Sequence, residues 1–181
     1  MFTLPRAYDF KKLANCDRYV NLVSDMADPK SIELIRKLIA FDTTSSESNL
    51  VLITYVQEYL SDLGVESMLV HNVEGSKANL YATVGDPDTP GIMLSGHTDV
   101  VPVDGQDWDT DPFELVAKDG RLYGRGTCDM KGFIGIVLAM LPRFMERGLK
   151  TPIHLAFSYD EEVGCIGVRR LLDKLNDLPV K

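Results

Sequence analysis

Three short stretches hold the side chains with most chemical potential. LSGHTDVVP, residues 94–102, places His97 and Asp99 two residues apart behind an apolar run. In extended chain such side chains face the same way. Asp99 is therefore placed to accept the spare imidazole N–H of His97 and fix its tautomer. Alone, HxD is a common tripeptide, and a strand-end histidine beside a solvated acid explains it as well. In GRLYGRGTCDMKG, Asp129 directly precedes a helical pattern. An aspartate there is either a favoured helix cap or a carboxylate bridging two cations. Gly124, Gly126 and Gly132 permit close backbone approach. They spell no dinucleotide fingerprint, because Asp129 stands where the third glycine of GxGxxG belongs. In SYDEEVG, the consecutive acids Asp160, Glu161 and Glu162 usually mean a solvated loop. Here they follow an apolar strand and precede Val163-Gly164-Cys165, which does not read as loop surface. Adjacent carboxylates become useful when one binds a cation and the other stays free as a base. The free one can take a proton from a cation-bound water whose pKa falls to about 7.

Together a histidine, a bridging aspartate and a glutamate pair form a ligand set suited to Zn²⁺ or Co²⁺. LSGHTDVVPVDGQDWDTDPFEL, GRLYGRGTCDMKG and SYDEEVG resemble the dinuclear-zinc aminoacylases and exopeptidases, from about residue 29 to the end. The resemblance implies that His97 is a ligand of one zinc and that Asp99 orients it. It implies that Asp129 bridges the two zincs, that Glu161 is the general base and that Glu162 is a ligand of the second zinc. A cis peptide at Asp129-Met130 is implied as well. The implied activity is hydrolysis of an N-acyl amide, with N-acetylornithine giving ornithine and acetate as the first expectation. Desuccinylation of a diaminopimelate precursor, or di- and tripeptide hydrolysis, is the alternative within the family. A noncatalytic binding or assembly module is the alternative of another class.

The resemblance also implies two further metal ligands, an acid and a histidine, and a separate lid domain, none of which this chain contains. His71 and His154 fall inside expected strands and read as packed or surface residues. The chain therefore reads as residues 1–27, an extension, followed by residues 28–181, the N-terminal part of a metal-dependent catalytic domain. On this reading each zinc has only two protein ligands here, where a catalytic zinc normally has about three. Weak metal binding and little activity are expected of the chain alone, and a homodimer is implied for the longer protein.

The elements that must position these residues alternate helix and strand. Asp28-Pro29 marks a helix start, with Ile32, Leu34, Ile35, Leu38 and Ile39 on its apolar face. Thr44 and Glu47 have capping-box spacing for a second helix carrying Leu52, Val56, Tyr59, Leu60 and Leu63, ended by Gly64. VESMLVHNV, NLYATVG and GIMLSG read as strands, and LVAKDGRLYG as a hairpin turning at Asp119-Gly120. A helix over Met130 to about Arg147 contains Pro142, which should bend it or remove a hydrogen bond. The strand IHLAFSY and a helix from Ile166 to Leu175 close the pattern. The fold class is α/β, with a mixed, mostly parallel sheet flanked by helices. Ligands in such sheets bind beyond the carboxyl ends of the strands.

The 181 residues, 45% hydrophobic and 25% charged, suit one globular domain. A net charge of −8 argues against a nucleic-acid surface. No apolar run is long enough to span a bilayer, and the first residues lack the apolar core of a secretory signal. Cys16, Cys128 and Cys165 are spaced too widely for a disulfide framework and suit a reducing cytoplasm. Cys128 and Cys165 are expected to be buried as small apolar residues. Trp108 and its neighbouring acids suggest a loop folded beside the site. The implied partner is a small N-acyl amino acid, with no nucleic acid and no membrane.

Overall fold

A computed structural model describes residues 28–176. The 1–27 extension and Cys16 lie outside the described residues. Helix α1, Pro29–Ile39, starts where Asp28-Pro29 demands: the Asp28 carboxylate accepts the Lys30 amide at 3.2 Å. Its buried face is Leu34, Ile35, Leu38 and Ile39.

Helix α2, Leu50–Asp62, departs from expectation at its start. Asn49, not Thr44, occupies the N-cap position. Thr44 is committed elsewhere, forming a parallel bridge to Val100 while its amide and hydroxyl both donate to Asp42 Oδ1. Asn49 makes no cap bond either. Its carboxamide accepts the Ala78 amide at 3.0 Å and donates to the Ala78 carbonyl and the Thr98 hydroxyl, each at 2.9 Å. Burial of this side chain let tertiary partners override the local capping pattern. Gly64 does follow the helix, in the left-handed region at φ 74°.

Strands β1 (Ser67–His71), β2 (Ala78–Val84) and β3 (Ile92–His97) come next, then the hairpin of β4 (Val116–Lys118) and β5 (Arg121–Tyr123). Helix α3 (Lys131–Glu146), strand β6 (Ile153–Ser158) and helix α4 (Ile166–Asn176) complete the order. The main sheet runs β1-β2-β6-β3. It is mixed, as expected, but its balance is antiparallel, because β1–β2 and β2–β6 are antiparallel and only β3–β6 is parallel. The short β1–β2 connection accounts for the first of these, since a tight turn can join only antiparallel neighbours. Helix α3 continues through Pro142 to Glu146.

The core lies between one face of the sheet and helices α1, α2 and α3. Leu80, Ala82, Leu155 and Phe157 meet Leu34, Leu52, Val56 and Leu138 there. A fully buried side chain such as Phe157 contributes roughly 1.5–3 kcal/mol. Gly135 lets α3 approach α1 closely, since an added Cβ would lie 3.0 Å from the Ile35 amide nitrogen. Gly96 similarly lets β3 lie under Met130 and Phe133. This anchoring fixes the end of β3. In the parallel pair, His97 stands opposite Ser158, so β3 and β6 leave the sheet at the same level.

Candidate metal centre

His97 is the last residue of β3, and Asp160 to Glu162 follow one residue after β6 ends. The shared level of the two strands brings them together. His97 Nε2 lies 2.9 Å from Asp129 Oδ1 and 3.7 Å from Glu161 Oε2. His97, Glu161 and Glu162 each offer a ligand atom within 4.8 Å of the others. The trio thus includes Glu161, expected as the base, while Asp129 faces the same imidazole nitrogen from the α3 side. Asp129 does not cap α3, because Met130 holds that position and makes no side-chain cap bond. The Asp129-Met130 peptide is cis. Gly126, at φ 84°, supplies the left-handed turn before it.

Asp99 divides its work between its main chain and its carboxylate. Its carbonyl lies 3.0 Å from His97 Nδ1, while the nearer carboxylate oxygen is 3.5 Å away. The carboxylate accepts the Ser45 hydroxyl at 2.7 Å, the Glu161 amide at 3.1 Å and the Glu162 amide at 3.2 Å. Asp99 therefore ties the acidic turn to the end of β3. Burial opposes its ionisation, but His97, Ser45 and the two amides hold it below the usual carboxylate range.

The imidazole and the carboxylates around it shift one another's protonation. Burial lowers the basicity of His97, but the Asp99 and Asp129 carboxylates outweigh it and push the imidazole up to about 9. Desolvation, then the Asp129 carboxylate, holds Glu162 above its ordinary range, with Glu161 and Asp99 adding to the effect against His97. Among the described residues, none of Asp129, Glu161 and Glu162 pairs with a lysine or arginine. His97 is 6% exposed against 73% for Asp129, so the anchored nitrogen faces an open rim of carboxylates. An imidazole with its other nitrogen engaged, ringed by oxygen donors, fits a borderline or hard divalent cation.

Several neighbouring residues sit differently from expectation. Cys128 and Cys165 are exposed rather than buried. Both lie on turns that project from the sheet, and Val163 is also half exposed. Partial desolvation and the Glu161 carboxylate, 3.6 Å from its sulfur, raise the Cys165 thiol above its usual range. His71 is exposed on β1. His154 is buried on β6, its Nδ1 3.0 Å from both the Tyr81 and Thr83 hydroxyls. Neither reaches the centre. Trp108 stacks on Arg125, whose guanidinium also donates to Gln106, pinning the 102–108 loop to the turn that leads to Asp129. Sequence reasoning missed Ser45, Asn49 and Lys77. The polar run Thr43-Thr44-Ser45-Ser46 signalled only a loop or cap, and its pairing with residues 98–100 is a long-range event.

Comparison with known proteins agrees with this geometry. Residues 93–181 match the family described as peptidase family M20/M25/M40. The chain is 38% identical over 152 residues to acetylornithine deacetylase of Pasteurella multocida, covering 80% of this chain and 39% of that protein. It is 40% identical over 149 residues to acetylornithine deacetylase of Shigella sonnei, covering 78% and 38% respectively. The chain thus spans about two fifths of the length of these relatives. Human carnosine dipeptidase 1 superposes with a TM-score of 0.72 at 26% identity, over 91% of this chain and 38% of that one. An M20 family metallo-carboxypeptidase from Sulfolobus solfataricus gives 0.73 at 23% identity, over 84% and 36%, a likeness of fold. His97, Asp129 and the Glu161-Glu162 pair all lie inside the stretch that matches the peptidase family M20/M25/M40.

Proposed function

We propose that these residues form the metal-binding core of an amidohydrolase that cleaves N-acyl amino acids, with N-acetylornithine as substrate. The observation that carries this reading is the convergence of His97, Asp129, Glu161 and Glu162 at the level ends of β3 and β6. The deacetylase relatives support the choice of acyl group and amino acid. Two divalent cations, zinc with cobalt as the alternative, would polarise the acyl carbonyl and lower the pKa of water to about 7. His97, Asp129 and Glu162 are the residues of this chain that would hold them, Asp129 between the two. Glu161, half exposed at the rim, takes the proton of the attacking water and returns it to the leaving amine. Asp99 positions His97 through its carbonyl and the glutamate pair through its carboxylate. An acid and a histidine from outside this chain complete the ligand set, and the longer protein acts as a homodimer in the cytoplasm. The exposed, unpaired Cys128 and Cys165 suit that reducing compartment. Ornithine as product assigns the enzyme to arginine biosynthesis.

The test measures acetate release from N-acetylornithine, with Zn²⁺ or Co²⁺ supplied, by the protein at the length of its deacetylase relatives. Glu161→Gln should lower turnover roughly 10²-fold or more while leaving metal content unchanged. Activity surviving that change would show the base to be wrongly assigned. A second reading, a dipeptide exopeptidase, is favoured by the likeness to carnosine dipeptidase 1. Turnover of dipeptides in preference to N-acetylornithine and N-succinyl-diaminopimelate would select it.

A further inference from the structure

The acidic turn has an awkward backbone. Asp160 is a non-glycine residue at φ 55°, in the left-handed region, where an ordinary side chain is disfavoured. Directly after it come Glu161 and Glu162, whose side chains face His97. Aspartate tolerates this region better than most residues, and a contact from outside the turn fixes it there.

Lys77, at the entry to β2, provides that contact. Its Nζ donates to Asp160 Oδ1 at 2.5 Å and to the Ser45 carbonyl at 2.6 Å. The pair is largely shielded, with side-chain exposures of 13% and 16%. Ser45 in turn donates its hydroxyl to Asp99, and Asp99 accepts the amides of Glu161 and Glu162. The bonds close into a ring: Lys77, Asp160, the glutamate amides, Asp99, Ser45 and back to Lys77. Ser45 is itself tied to β3's continuation through its amide and the Val100 carbonyl, 3.1 Å apart. One ammonium thus ties together the 43–45 segment, the start of β2 and the turn after β6.

We propose that Lys77 is a positioning residue, locking Asp160 so that Glu161 and Glu162 are held over His97. Its consequence for cation binding rests on the metal reading given above; the positional claim stands on the ring alone. The two roles open to a lysine here predict opposite signs. Acting only as a nearby positive charge, Lys77 would repel a cation, and its removal would tighten binding. Acting through position, its removal loosens the glutamates and weakens binding, by tenfold or more for a residue supporting metal ligands.

Two measurements on the 181-residue chain decide the matter. Amide hydrogen exchange in the metal-free protein should show the Glu161 and Glu162 amides exchanging at least tenfold faster in Lys77→Met. Exchange at Leu80 and Phe157 in the core should be unchanged, and Lys77→Arg should restore protection. Unchanged exchange at both glutamates in Lys77→Met overturns the proposal. Should Lys77→Met fail to fold, Asp160→Ala, which removes the acceptor of the Lys77 bond, serves in its place, and unchanged glutamate protection there overturns it equally. In parallel, titration with Co²⁺ should give weaker binding for Lys77→Met than for the natural chain. Equal or tighter binding overturns the positional role in the site. If the 181-residue chain, with two protein ligands per cation, binds Co²⁺ too weakly to titrate, the metal reading is tested in the longer protein and the exchange measurement alone decides the role of Lys77.

Discussion

Replacing Asn49 by alanine tests how much of the site's framework depends on one amide side chain. Asn49 is 2% exposed, and its carboxamide makes three hydrogen bonds: one from the Ala78 amide, one to the Ala78 carbonyl and one to the Thr98 hydroxyl. It acts as the missing ladder partner for the first residue of β2. It also reaches the residue between His97 and Asp99. A net value of roughly 1 kcal/mol per bond gives about 3 kcal/mol for the set. Ala78 is fully buried, so its amide and carbonyl would find no water in compensation and that figure is a lower bound. For a chain of this size, 3 kcal/mol corresponds to a fall in Tm of roughly 6–12 °C. Urea denaturation followed by circular dichroism should show the midpoint fall with the slope unchanged. Asn49→Asp should cost at least as much at neutral pH. It keeps the acceptor but turns a carboxylate towards the Ala78 carbonyl. Thr98, whose hydroxyl already donates to the Ser158 carbonyl at 2.9 Å, has no proton to spare for it. A loss under about 1 kcal/mol for Asn49→Ala, or an Asn49→Asp variant as stable as the natural chain, would refute the reasoning.

Lys131 is fully buried, its ammonium 2.6 Å from the Phe41 carbonyl. Burial, only partly offset by Asp42 and Asp99, lowers its pKa from 10.5 to about 8. A depressed folded-state pKa means stability is greatest above the unfolded value and falls as pH drops through the folded one. Relative to Lys131→Met, the metal-free chain should therefore gain about 3 kcal/mol between pH 8 and 10.5. A flat difference in denaturation midpoints across that range would contradict this. Gly132 leaves no room for a methyl group against the Thr127 carbonyl. Gly132→Ala should cost about 1–3 kcal/mol and displace the turn carrying Asp129, read as lost stability and, by nuclear magnetic resonance, a shifted His97 ring.

Much of the local order was legible because it depends on neighbours in sequence. Asp28-Pro29 opened α1, Gly64 followed α2, and Asp119-Gly120 turned the hairpin, each through backbone geometry or capping that adjacent residues settle. His97, Asp129 and Glu161-Glu162 could be singled out as candidates because ligand chemistry restricts residue type, and the fold brings them together. What escaped notice depended on distant partners. Thr44 and Glu47 have the spacing of a cap, yet pairing of residues 43–45 with 98–100 withdrew Thr44 from that role. The direction of β2 against β6 follows from which strands become neighbours, which a one-dimensional hydrophobic pattern does not record. Cys128 and Cys165 were misjudged because both sit on exposed turns, where even Val163 and Ile166 beside Cys165 stay half exposed. Asp99 was recognised as a partner of His97. That its carboxylate is engaged by the amides of the acidic turn depends on β3 and β6 ending side by side.

That common ending has an evolutionary consequence. The reactive groups are spaced by sheet register, whereas the long segment between β3 and β4 wanders over the surface beside them. Lengthening a surface loop carries an entropic penalty that grows only logarithmically, about 0.6 kcal/mol per doubling. Insertions and deletions there can reshape the surroundings of the site without altering the separation of His97 from the glutamates. Selection can therefore vary the loops while the spacing of the candidate metal-binding residues is inherited intact.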